Sequence, residues 1–213
     1  ELNIVDVASG QKTATLTGDS EGIVAFALSP SDEQVVAVSR SRVVRVWDIA
    51  TGAVRRQWKA GMSPVLDLDY DKSGTLVAGA GSEHVVHVWN AEHGFATHYF
   101  RGHSAMVLLV AFHPDPHRLV LYSAAQDGEI RAWDLVGKTC AATLSSHDSA
   151  VTSLSFSSCG DLLLSGGRDR VATIWDLTIH QPRKTILVNE QVEAARFVAR
   201  KARKSGQALH FVT

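Results

Sequence analysis

Two sets of residues in this chain could do acyl-transfer chemistry. His147, Ser165 and Asp169 are separated by 18 and 4 residues, and His103, Ser123 and Asp127 by 20 and 4. A hydroxyl, an imidazole and a carboxylate are the parts of a hydrolytic triad, in which the imidazole takes the hydroxyl proton and the carboxylate orients the imidazole. Two features weigh against it. The set occurs twice, and each copy is closed by a Trp six residues after the Asp, Trp175 and Trp133. Neither Ser is accompanied by a nucleophile elbow or an oxyanion-hole glycine arrangement. A duplicated set of this kind reads as scaffolding, and no catalytic residue is expected.

Other residue types with chemical potential are weaker. His113, Asp115 and His117 in "HPDPH" are metal-ligand types, but no further ligands cluster nearby, and Pro114 and Pro116 mark a turn. His84 and His87 are read on one strand, pointing to opposite faces, and cannot chelate together. Asp67, Asp69 and Asp71 alternate as a carboxylate pair would, yet they align with Ser153, Ser155 and Ser157, which makes them a polar strand position. The glycines of "SGG" at 165–167 end a strand rather than open a helix, so no phosphate loop is expected. No metal, cofactor or small-molecule substrate is predicted. One basic stretch stands out: "RFVARKARKSG" carries Arg196, Arg200, Lys201, Arg203 and Lys204. It is a solvated loop or a contact for RNA backbone or a partner. Without aromatic residues interleaved after Phe197 it does not read as a base-stacking surface.

The elements that must position these residues are strands. The chain has 213 residues, 45% of them apolar, and a formal net charge of −1. That supports a sizeable core and gives no global field toward nucleic acid or an anionic membrane. Cys140 and Cys159 are too few for a disulfide framework and fit a reduced compartment. No apolar run reaches the roughly 20 residues of a membrane span, and no signal peptide is visible.

Trp47, Trp89, Trp133 and Trp175 recur at spacings of 42, 44 and 42, three followed by Asp and one by Asn90. In the last unit "AVTSLSFSSCGD", "LLLSGG", "RVATIWDL" and "PRKTILV" are four strands punctuated by Gly, Asp, Ser and Pro. The other units repeat the scheme, and no helix-period segment of useful length appears. Period and strand count resemble the WD-repeat β-propeller, an all-β fold of four-stranded antiparallel blades. Resemblance to that family implies that the His, Ser, Asp and Trp of each set form one network inside a blade. There the Asp accepts from His, His meets Ser, and Ser meets the indole N–H. Units one and two lack the set, with Asp19, Ala37, Ser41 and Trp47 in one and Met62, Gly79, Glu83 and Trp89 in the other. Those blades are expected to rely on packing and backbone ladders and to open more readily.

The predicted organisation is a half blade at 1–17, blades at 18–58, 59–100, 101–144 and 145–188, and a half blade at 189–213. A start at Glu1 inside a strand suggests a piece of a longer protein. Either the chain is a partial ring from a larger, tandem propeller, or its two halves join into five blades. The partial ring is favoured.

A narrower resemblance rests on "THYFRGHSAMVLLVAFHPDPHRLVLYSAAQDGEIRAWDL" (97–135), "AVTSLSFSSCGDLLLSGGRDRVATIWDL" (150–177), "QVEAARFV" (191–198) and "NIVDVASG" (3–10). These segments resemble the transducin-beta-like protein 3 family, the small-nucleolar-RNA-associated WD-repeat proteins of the small-subunit processome. The resemblance implies tandem propellers with a helical C-terminal region. It also implies a non-catalytic scaffold in the nucleus and nucleolus. Its partners would be other WD-repeat processome proteins and a pre-rRNA and small nucleolar RNA particle contacted locally or indirectly. Its output would be 18S rRNA, with no membrane involved. The alternative is a substrate receptor of a cullin ubiquitin ligase or another general interaction propeller. Such receptors often carry Arg or Lys two residues after the Trp-Asp pair, where this chain has Ala50, Glu92, Val136 and Thr178. A propeller enzyme would need convergent polar groups on one rim. A G-protein β type would need an N-terminal coiled coil, and none precedes Glu1.

Overall fold

The computed structural model describes residues 1–61 and 63–198, and the backbone of 211–212. Among these residues every regular element is a strand. Blade 1 is β3 (Ile23–Leu28), β4 (Gln34–Ser39), β5 (Val43–Asp48) and β6 (Val54–Lys59). Blade 2 is β7 (Val65–Tyr70), β8 (Leu76–Gly81), β9 (Val85–Asn90) and β10 (Ala96–Arg101). Blade 3 is β11 (Val107–Phe112), β12 (Val120–Ala125), β13 (Glu129–Asp134) and β14 (Thr139–Ser145). Blade 4 is β15 (Val151–Phe156), β16 (Leu162–Gly167), β17 (Val171–Asp176) and β18 (Gln181–Leu187). Each is a four-stranded antiparallel sheet in sequence order. Two-stranded sheets flank them, β1 (Leu2–Val5) with β2 (Lys12–Leu16), and β19 (Arg196–Phe197) with β20 (Phe211–Val212). These two sheets are separate, with no ladder joining them, so the described residues form a partial propeller rather than a five-bladed ring.

Near-continuous runs of small and apolar residues on the second strand of each blade make this arrangement possible. Blades are buried on both faces, so β4, β8, β12 and β16 are buried along nearly their whole length. The apolar clusters lie between blades rather than at one centre. Val36, Val38 and Val46 of blade 1 pack with Leu68, Tyr70 and Trp89 of blade 2, and Ala80 and Val88 of blade 2 pack with Val110, Phe112 and Trp133 of blade 3. Phe26 and Leu28, which align with buried Leu68 and Tyr70, are more than half exposed, because only β1 and β2 precede blade 1 among the described residues.

The turns follow one plan. The residue before the third strand is left-handed in every blade: Arg42, His84, Gly128 and Arg170. His84 therefore sits in a turn, and the expectation that it shares a strand with His87 is corrected. Only at 128 is glycine required, since a side-chain carbon there would stand 2.4 Å from the carbonyl oxygen of His147. The residue after each Trp caps the following turn. The side-chain oxygens of Asp48, Asn90, Asp134 and Asp176 accept from the backbone N–H of Thr51, His93, Val136 and Thr178 at 2.8–3.0 Å. Asn serves as well as Asp because the cap needs one acceptor oxygen and no charge.

Candidate functional site

The His, Ser, Asp and Trp sets of blades 3 and 4 are brought together. In blade 3, His103 Nε2 lies 2.8 Å from Ser123 Oγ, and Trp133 Nε1 donates to the same oxygen at 2.8 Å. His103 Nδ1 lies 3.1 and 3.2 Å from the two oxygens of Asp127. In blade 4, His147 Nε2 is 2.7 Å from Ser165 Oγ, Trp175 Nε1 donates to Ser165 at 2.8 Å, and His147 Nδ1 is 2.9 Å from Asp169. One proton assignment satisfies every member. The imidazole donates from Nδ1 to the carboxylate, the hydroxyl donates to Nε2, and the indole donates to the hydroxyl oxygen. Burial lowers the His103 pKa against the opposing pull of Asp127, so the ring is neutral as this assignment requires. Burial alone would raise Asp127, but N–H donors from Ser104 and Glu129, with His103, outweigh it and hold the carboxylate below its ordinary value.

This geometry rules out these serines as nucleophiles. Ser123 and Ser165 have no exposed surface, and each hydroxyl is held between a ring nitrogen and an indole. Nor is the cluster of His103, Asp127 and Glu129, whose ligand atoms all lie within 4.8 Å, suited to a metal. Both His103 nitrogens are engaged, Asp127 accepts from the Ser104 and Glu129 N–H groups, and Glu129 pairs with Arg131 at 2.7 Å.

Blade 1 departs from its expectation. Asp19 stands where His103 and His147 stand, and Ser41 where the acids stand, so the two roles are exchanged. Asp19 Oδ2 accepts from Ser41 at 2.6 Å, Ser39 at 3.0 Å and Arg45 at 2.9 Å. Trp47 Nε1 donates to the Thr17 carbonyl at 3.3 Å instead of a hydroxyl. The Ser41 hydrogen bond, against the desolvation of a partly buried acid, and then Arg45 and Ser39, hold the Asp19 pKa down to about 2. Blade 1 thus has its own polar network, and the expectation that it relies on packing and backbone ladders is corrected.

Blade 2 carries no such chain among its described residues; Met62 lies outside them. Gly79 replaces the Ser, and a side-chain carbon at Gly79 would stand 2.6 Å from the Trp89 ring, so the indole occupies the hydroxyl's space. His87 lies flat on Trp89 with ring centres 5.6 Å apart, and its Nε2 is 3.5 Å from Glu83.

Asp67 and Asp69 bridge blades: their carboxylates accept from the N–H groups of Val110 and Phe112 at 2.9 and 2.7 Å. Ser153 and Ser155 do the same for Ala195 and Phe197 at 2.7 and 3.1 Å. Asp71, beyond the strand, accepts from the Leu76 N–H at 2.7 Å, as Ser157 accepts from Leu162. His113 is buried with both nitrogens engaged, one 3.1 Å from the Gly160 carbonyl and the other accepting from the Asp115 N–H. "HPDPH" is a turn tied to the next blade. Arg196 is exposed on β19 and lines an open groove with Asp67, Asp69 and Lys72. Arg200, Lys201, Arg203 and Lys204 lie outside the described residues.

The WD domain, G-beta repeat family (WD40) matches residues 10–48, 94–134 and 138–176, more than half of the chain. The chain belongs to the WD40 family. The matched segments hold the networks of blades 1, 3 and 4, and the stretch passed over holds β7, β8 and β9 of blade 2. This WD40 chain is 46% identical over 197 residues to transducin beta-like protein 3 of Rattus norvegicus, covering 92% of the chain and 25% of that protein. It is 46% identical over 196 residues to transducin beta-like protein 3 of Homo sapiens, covering 91% of the chain and 24% of that protein. It is 32% identical over 212 residues to U3 small nucleolar RNA-associated protein 13 of Saccharomyces cerevisiae, covering 93% and 26%. The chain spans about a quarter of the length of these three curated relatives.

Sequence reasoning missed three features of this WD40 chain. The Asp19 network was hidden because it exchanges acid and partner positions. Arg45 gave no signal of its own, since its role needs Asp19 brought from 26 residues away. The inter-blade role of Asp67 and Asp69 was signalled by their alignment with Ser153 and Ser155, small acceptors at the same alternate positions.

Proposed function

We propose that this WD40 chain is part of a non-catalytic scaffold of the nucleolar small-subunit processome. In this reading it supports pre-rRNA processing and 18S rRNA maturation from the nucleus and nucleolus. The observation that carries the reading is similarity over nine-tenths of the chain to a yeast protein named for its association with U3 small nucleolar RNA. The physical case supports it. Blades present turns on two rims and strands on the perimeter, so one propeller holds several partners, and many modest contacts joined together raise effective concentration. A net charge of −1 suits protein contacts better than wholesale RNA wrapping. Partners in this reading are other WD-repeat processome proteins. RNA contact is local, at Arg196, Arg200, Lys201, Arg203 and Lys204. Affinity purification of the full-length protein, with identification of bound protein and RNA, tests it. Co-purifying processome proteins and U3-type small nucleolar RNA are expected; cullin-ligase subunits in their place overturn it.

A further inference from the structure

Blades 1 and 3 cover the groove beside the Trp of the third strand with an arginine, and among the described residues blade 2 does not. In blade 3, Arg131 covers this groove, so close to Gly102 that a side-chain carbon there would stand 2.4 Å from its guanidinium. In blade 1, Arg45 covers it, reaching Asp19 and Gln57. In blade 4, Thr173 holds the position beside Ser146, 3.4 Å away. Blade 2 has the shorter His87, which leaves a crevice of about 360 Å³ between the end of β6 and the outer face of β9 and β10. That volume lies in the range of roughly 300–1,000 Å³ typical of small-ligand sites.

The lining is unusual for a blade seam. Tyr99 stands edge-on to His87 with ring centres 5.1 Å apart, yet the residue is 61% exposed. Its counterparts in the other blades are Gln57, Thr143 and Thr185, the partners of Arg45, Arg131 and Thr173. Glu83, Lys59 and Arg101 all line the crevice. His87 Nδ1 is buried without a hydrogen-bond partner. Burial holds the His87 pKa below its ordinary value, so the ring adds no charge at neutral pH.

A site with one carboxylate, two cations and an exposed aromatic ring suits a ligand whose N–H donors and anionic group lie apart. A basic side chain of a partner would meet Lys59 and Arg101, and an acidic one would meet Glu83. A nucleotide uses all four groups: base on Tyr99, base N–H donors on Glu83, phosphate on Lys59 and Arg101. Guanine is the base that offers one carboxylate two adjacent N–H donors. We propose that the crevice between blades 1 and 2 is a binding site for one nucleotide of single-stranded RNA, with guanine favoured. The proposal rests on the groove and not on the scaffold role.

The test is fluorescence anisotropy of a labelled, guanine-containing single-stranded RNA with the purified protein, competed by each of the four nucleoside monophosphates. Guanosine monophosphate is expected to compete best. Glu83→Gln should level it with the other three. Tyr99→Thr, the residue blade 3 carries there, should weaken RNA binding about tenfold or more. His87→Arg, which refills the groove as Arg131 does, should do the same with an unchanged melting temperature. Should His87→Arg fail to fold, exposed Tyr99→Thr alone decides. Serine at Lys59 and Arg101 should lower the salt dependence. Guanosine monophosphate binding as tightly as RNA would make a free nucleotide the ligand and overturn the RNA assignment. Wild-type affinity in Tyr99→Thr, no competition by any nucleotide at low salt, or displacement by an acidic peptide but not by nucleotides would overturn the site itself.

Discussion

The Ser41 hydroxyl donates to the Asp19 carboxylate at 2.6 Å, across the same space in which His147 meets Asp169 in blade 4. One position supplies an acid in blade 1 and an imidazole in blade 4, and the facing position changes to match. The position thus accepts more than one donor and acceptor set.

Removing the acid in blade 4 should therefore cost more than removing the hydroxyl in blade 1. Asp169→Ala leaves His147 and the N–H groups of Asp148 and Val171 without their acceptor. A loss of about 1–3 kcal/mol is expected. Ser41→Ala leaves Asp19 its bonds to Ser39 and Arg45, and about 0.5–1.5 kcal/mol is expected. Denaturant unfolding of the two variants checks the order.

Restoring the common hydroxyl in blade 2 should harm it. Gly79→Ser puts its side chain where the Trp89 ring lies, and overpacking of this kind costs about 1–3 kcal/mol. A loss of stability, with a change in the tryptophan near-UV signal, is the expected outcome. An unchanged melting temperature would show that Trp89 moves aside freely.

Two sets of acids should respond to pH in opposite directions. Burial raises Asp67 to about 6 and Asp69 to about 7, Asp69 also by its neighbour Asp67 and against Lys72. A folded pKa above the unfolded one gives stability that is complete below about pH 4 and lost as pH rises through 6 and 7. Asp19, lowered to about 2, gives stability present above about pH 4 and lost as pH falls toward 2. Asp67→Ser with Asp69→Ser, the acceptors blade 4 uses, should flatten the dependence between pH 4 and 7 and leave the acid limb intact. Unfolding midpoints measured from pH 2 to 8 check both limbs.

The basic stretch makes a separate prediction. Changing Arg200, Lys201, Arg203 and Lys204 to Ser should weaken RNA cross-linking at low salt. The difference should shrink as salt rises, because the term is counterion release. Equal cross-linking at low salt would leave the stretch as a solvated loop.

The blades were legible in the sequence because their signals are local. Each blade strand is a short apolar or alternating run bounded by turn residues, and each Trp-Asp or Trp-Asn both packs and caps within its own hairpin. The networks of blades 3 and 4 were legible because they repeat. The Asp19 network and the crevice beside His87 were not, because each exists only once. Both depend on residues that only the blade seam and the third strand bring together, Arg45 onto Asp19, and Lys59 into one crevice with Glu83 and Arg101. The bridges from Asp67 and Asp69 cross from one blade to the next over 43 residues, a distance at which no local pattern reports a contact.

The scaffold role is tested most directly by depleting the full-length protein and measuring mature rRNAs and the 5′ precursor on one blot. The expected result is a fall in 18S rRNA, large-subunit rRNAs nearly unchanged, and accumulation of unprocessed 5′ precursor. Normal 18S output after depletion would contradict it.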